Sequence, residues 1–139
     1  MPSLNYMQTF DTIVLNIIKK DPRYPFAAYL FIKEALEFTI KTLYPDNTLP
    51  SHNINIPGLK LIDGIRQFAL LQYGPLALTV LNRWNIKNTQ DFGHLVFNLV
   101  NGGILTKSKE DSIEDFKDIF DFYDAFQKPF LPQNSPNAS

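Results

Sequence analysis

The chain of 139 residues contains no cysteine, two histidines and one tryptophan, and its formal net charge is −1. Without cysteine there is no disulfide framework, no thiolate nucleophile and no cysteine-based zinc site, which fits a reducing compartment and leads to the expectation of a cytoplasmic protein. Two histidines, with no H-E-x-x-H or comparable spacing, give no basis for a transition-metal site. A net charge so close to zero supplies no long-range field to draw in nucleic acid or an anionic membrane. Long apolar runs are missing as well: the longest is Phe26 to Ile32, far short of the roughly 20 residues that span a bilayer. The first twenty residues carry their lysines at the wrong end for a secretory signal, so no membrane partner is expected.

No G-x-S-x-G elbow, phosphate-binding Walker loop or G-x-G-x-x-G turn occurs. The sequence therefore offers no catalytic residue and no cofactor, and the reading leans away from an enzyme. An acidic run, Glu110, Asp111, Glu114, Asp115, Asp118, Asp121 and Asp124, lacks the alternating ligands and central glycine of a calcium loop and reads as a solvated face.

What the chain has in quantity is aromatic side chains, 14% of residues and twelve of them Phe, against 19% charged residues. Such a composition predicts a compact core built on large rings. The length suits a single domain, placed at residues 1–127, and the proline-rich, polar text from Lys128 to Ser139 reads as a disordered tail.

Helical periodicity is strong. Apolar residues recur at helical spacing from Leu4 to Lys20, from Pro25 to about Tyr44 and from Gly58 to Tyr73. The second of these is apolar around most of its circumference, with Lys33, Glu37 and Lys41 as a narrow polar stripe, and so belongs in the middle of a bundle. The loop between the second and third helices, Pro45 to Pro57, carries His52, which reads as a surface or helix-capping residue rather than a ligand. Gly74-Pro75 stops one helix and starts the next. A fourth helix over Pro75–Trp84 ends at Asn85, a residue that tolerates the left-handed conformation, with Ile86 placed for the apolar contact of such a cap. Asn88 or Thr89 then caps a fifth helix that runs to Gly102-Gly103.

The spacing of the fourth and fifth helices is that of a helix-turn-helix. Ile104 to Lys107 resembles a short strand, and the alternation of Phe and Asp over Asp118–Phe122 offers it a returning partner. The expected fold class is mainly α: a helical bundle whose C-terminal half is helix-turn-helix or winged-helix-like, with a small β-hairpin. A rival reading caps a helix at Ser112 and places Ile113, Phe116, Phe120, Tyr123 and Phe126 on one face.

Nucleic-acid binding is the obvious use of that spacing, but no Lys or Arg lies between Lys87 and Lys107. The positions of the fifth helix expected to face solvent are Gln90, Asp91, His94 and Asn98. A strong duplex binder neutralises on the order of 6–10 phosphates. Nucleic acid is thus a possible but disfavoured partner.

The text Arg23-Tyr24, Ala28-Tyr29-Leu30-Phe31, Glu34-Ala35-Leu36, Asp63-Gly64-Ile65-Arg66, Gly74-Pro75-Leu76-Ala77, Val80-Leu81, Trp84, Asp91-Phe92-Gly93 and Val96-Phe97-Asn98-Leu99-Val100 resembles an uncharacterised bacterial family found mainly in planctomycetes and verrucomicrobia. The chain departs from that pattern in having Asn85 after the tryptophan and a longer link from His52 to Gly58. The resemblance implies a bacterial protein and carries no substrate, cofactor or catalytic residue. The functional expectation is a non-catalytic module that binds another protein or regulates one. Arg66, Arg83, Lys87 and His94 are the candidate interaction surface, and the alternative is a winged-helix-like nucleic-acid binder.

Overall fold

Prolines and left-handed residues punctuate the helices. The computed structural model describes residues 2–45, 56–105 and 112–132, the side chains of 2–9 excepted. Helix α1, Pro2–Lys20, ends where Asp21 donates its N–H to Ile17 and Pro22 forbids another turn. Pro25 precedes α2, Phe26–Leu43, which stops before Tyr44-Pro45. Pro57 precedes α3, Gly58–Tyr73. Gly74, at φ 50°, then turns the chain into a single 3-10 turn, Gly74–Leu76, and α4, Ala77–Arg83. Five connecting residues lead to α5, Thr89–Asn101, capped by the Asn88 side chain on the Asp91 N–H. After it come a 3-10 turn at Ile113–Phe116, the short α6 at Phe122–Phe126 and a final 3-10 turn at Lys128–Phe130.

Helices α4 and α5 end in the same way. Asn85 is left-handed at φ 64° and donates to the carbonyl of Asn82, while Ile86 donates to Leu81 at 2.9 Å. Gly103, at φ 87°, donates to Val100, and Ile104 to Leu99 at 2.9 Å. Both are paired-bond caps with an isoleucine just beyond, and Ile86 is fully buried as the anchor of the first.

The central element is α2, packed against α1, α3 and α5. Its side chains Ala28, Tyr29, Phe31, Ile32, Ala35 and Thr39 are buried. Contact with α3 is close because Gly64 has no side chain: a Cβ there would overlap Thr39, whose hydroxyl is tied back to the Ala35 carbonyl at 2.7 Å. Phe31 sits among Phe68, Tyr73 and Trp84, with ring centroids 5.4–6.2 Å away. A second set of rings, Phe92, Phe120, Phe122 and Phe126, joins the C-terminal segment to α5.

The hairpin expected from the sequence is not formed. Among the described residues there is no strand, and the architecture is all-helical. Ile104 and Leu105 give their N–H groups to the Leu99 carbonyl as part of the α5 cap, while Thr106 and Lys107 lie outside the described residues. On the other side, Asp121 accepts from the Asp124 N–H and starts α6, which overrides the strand-like Phe and Asp alternation. Asp118, at φ 54°, breaks any extended run. Ser112 and Asp115 form a reciprocal capping box, as the rival reading has it, but the helix they start is one 3-10 turn. Tyr123, placed inward by that reading, is 50% exposed. The helix, turn and helix over residues 77–101 are present, and no wing follows them among the described residues. The expected tail from Lys128 begins with the 3-10 turn, and residues 133–139 lie outside the described residues, as does His52.

Candidate functional site

Helix α5 carries a polar seam on one face: Asp91, Asn98 and Asn101 at steps of seven and three residues. The sequence places Gln90, Asp91, His94 and Asn98 toward solvent, yet all four are half-buried. The turn joining α1 to α2 docks on this seam. Tyr24, 1% exposed, donates its hydroxyl to Asp91 Oδ1 at 2.6 Å. The other oxygen of Asp91 accepts the Lys87 N–H at 2.8 Å. Seven residues along, Asn98 Nδ2 donates both to Asp21 Oδ2 at 3.1 Å and to the Tyr29 hydroxyl at 3.0 Å. Because ionised Asp21 can only accept, its position dictates that Asn98 turns its amide nitrogen inward. Asn85 completes the clasp, donating from Nδ2 to the Arg23 carbonyl at 3.0 Å.

Charge within the clasp is settled locally. Arg23 grips Asp21 with two guanidinium nitrogens, at 2.6 and 2.8 Å, and lies 5.3 Å from the centre of the Tyr24 ring. The Arg23 hydrogen bonds, helped by Asn98, hold the Asp21 carboxyl well below the usual carboxylate range against the opposing effect of burial. Burial, reinforced by the hydrogen bond to Asp91, pushes the Tyr24 hydroxyl far up, and burial raises Tyr29 as well. A tyrosine that stays protonated and a carboxylate that stays ionised suit a fixed joint rather than proton transfer near neutrality.

The seam opens into a groove of about 360 Å³ between the end of α1 and the end of α5, lined by Ile13, Asn16, Ile17 and Lys20 on one side and Asp21, Asn98, Asn101 and Gly102 on the other. Gly102 brings the two helices together, since a Cβ on it would lie 2.7 Å from Ile13 Cγ2. A smaller hollow of about 200 Å³ lies between α2 and α3 beside Thr39 and Gly64.

The four residues singled out by the sequence do not converge. Arg83 and Lys87 are exposed and flank the α4–α5 connection, where Asn85 meets Arg23. His94 lies on the seam between Asp91 and Asn98. Arg66 stands apart on α3, folded onto Asp63 of its own helix at 2.9 Å, and that contact lowers the Asp63 carboxyl. The residues that do converge, Asp21, Tyr24, Tyr29, Asp91 and Asn98, are joined by hydrogen bonds between positions 67–77 apart in the chain. Their only sequence trace is a hydrogen-bonding side chain, Asn98, among the apolar residues of α5.

Among the described residues no three histidine, aspartate or glutamate side chains are grouped to hold a metal ion, and no helix is long and apolar enough to cross a membrane. Compared with family models, with curated proteins and with solved structures, the chain matches none.

Proposed function

We propose that the chain is a non-catalytic module that binds a segment of another protein in the groove between α1 and α5. The observation that carries this reading is the groove itself: two isoleucines form an apolar strip, and amides and one lysine border it. Concave, part-apolar surfaces with a few polar groups are the usual form of a binding site. The groove holds no group set up for chemistry, because its one carboxylate, Asp21, is spent on Arg23 and Asn98. A nucleic-acid reading finds less support, since the polar face of α5 that would meet the duplex is used on Tyr24, Tyr29 and Asp21. The family resemblance adds no activity to weigh against this reading.

The test is site-specific photocrosslinking in the native cell, with a benzophenone amino acid in place of Asn16 in the groove or of Gln72, exposed on α3. A discrete adduct with one other protein from position 16, absent from position 72, is expected. Equal or absent adducts from the two positions would reject the reading.

A further inference from the structure

We infer that the groove takes an extended, acidic segment of its partner, in which carboxylate and aliphatic side chains alternate; this rests on the groove being the docking site. Spacing along α1 suits an extended chain. Asn16 and Lys20 stand one turn apart on the α1 wall, a rise of about 6 Å at 1.5 Å per residue. An extended chain repeats a side every two residues, about 6.6 Å. The two side chains therefore meet groups on the same side of a strand laid along the groove, while Ile13 and Ile17 form a strip for the alternate, aliphatic side.

Hydrogen-bonding capacity suits it as well. A carboxamide presents a donor and an acceptor side by side, as a peptide group does, and pairs with extended backbone at both. Asn16 and Asn101 are exposed on opposite walls. Asn98 has its nitrogen committed to Asp21 and Tyr29, and its carbonyl oxygen receives no hydrogen bond among the described residues. Gly102 lets Ile13 and Ile17 close against the end of α5, so the apolar strip lies between these two amide-bearing walls.

Charge selects an acidic segment. The single carboxylate that lines the groove, Asp21, is already neutralised by Arg23. Lys20 lines the groove and forms no ion pair among the described residues. Part of its charge offsets the negative end of α1. The remainder is complementary to a carboxylate and adverse to a basic segment.

The experiment is selection from a displayed random-octapeptide library on the full chain, run in parallel on Asn101→Trp, which fills the groove from an exposed position, and on Lys20→Glu. Circular dichroism is first matched among the three. Wild type is expected to enrich peptides in which Asp or Glu alternates with Leu, Ile or Val. The leading peptide should lose at least tenfold in affinity on Lys20→Glu and all measurable binding on Asn101→Trp. A basic or uncharged consensus that Asn101→Trp abolishes would overturn the acidic assignment and leave the groove as the docking site. Peptides insensitive to Asn101→Trp, or no enrichment at all, would overturn both.

Discussion

The two faces of α5 are joined to the rest of the molecule by different chemistry. On one face, Asp91 and Asn98 meet the α1–α2 turn through hydrogen bonds to Tyr24, Tyr29 and Asp21. On the other, Phe92, Gly93 and Phe97 meet the C-terminal segment through rings; Phe116 presses so close to Gly93 that a Cβ there would lie 2.8 Å from it. Thr89, bonded to the Phe116 carbonyl and to the Ile119 N–H, brings polar contacts to that second face. Burying an aromatic side chain is worth about 1.5–3 kcal/mol, a neutral hydrogen bond nets about 0.5–1.5 kcal/mol and one to a carboxylate about 1.5–3 kcal/mol. The ring face, with Phe92, Phe97, Phe116 and Phe122 set against three hydrogen bonds, supplies the larger share of stability, and the polar face, being directional, fixes how the turn sits and so shapes the groove.

Substitutions can break this division of labour. Phe126→Ala, which removes a fully buried ring packed against Phe120 and Phe122, is expected to cost about 3–5 kcal/mol in urea unfolding. A loss under 1 kcal/mol would show that the ring face is not the stabilising one. Tyr24→Phe keeps the ring and deletes the hydrogen bond to the Asp91 carboxylate, for about 1.5–3 kcal/mol. A loss as large as that of Phe126→Ala would erase the contrast. Asn85→Ala forces an alanine into the left-handed region and frees the Arg23 carbonyl, at a cost of about 1 kcal/mol. Asn85→Gly should recover the backbone part of that loss but not the hydrogen bond.

The smallest effect is the most specific. Asp21 has its folded-state pKa held below the ordinary 3.8, so the unfolded chain binds the proton more readily. Its contribution is complete above about pH 5 and lost as pH falls through the range below 4. Because Arg23 is 45% exposed, solvent screening keeps that contribution under about 1 kcal/mol. Asp21→Asn should leave stability at pH 7 nearly unchanged and flatten its decline between pH 5 and pH 2. An unaltered acid slope would mean that other carboxylates carry it.

Local chemistry made much of the fold legible. The bounds of α3, the left-handed Asn85 with buried Ile86 behind it, and the Asn88 cap all follow from residues within a few positions of one another. The C-terminal segment misled because alternating Phe and Asp has the period of a strand, while its aspartates act as caps. Asp121 starts α6, and Asp118 bends the chain with positive φ. Phe116 then reaches the core from its own 3-10 turn, and Phe122 and Phe126, four residues apart, reach it from α6 rather than from one helix begun at Ser112. The clasp could not be read ahead of the structure, because Tyr24 and Asp91 are 67 residues apart and Asp21 and Asn98 are 77 apart. Nothing in either neighbourhood names its partner. Arg66 stood out by its charge, but Asp63, one turn away, already holds it.

The matched caps of α4 and α5 have a consequence for the order in which the chain assembles. Each closes through two backbone hydrogen bonds that span no more than six residues, so neither must wait for a distant strand of sequence to arrive, and the entropy of closing such a loop is small. The headings of the chain at residues 85 and 103 are thereby decided inside the segment itself. The long-range clasp at Asp91 and Asn98 closes loops of 67–77 residues, at a larger entropic cost than either cap.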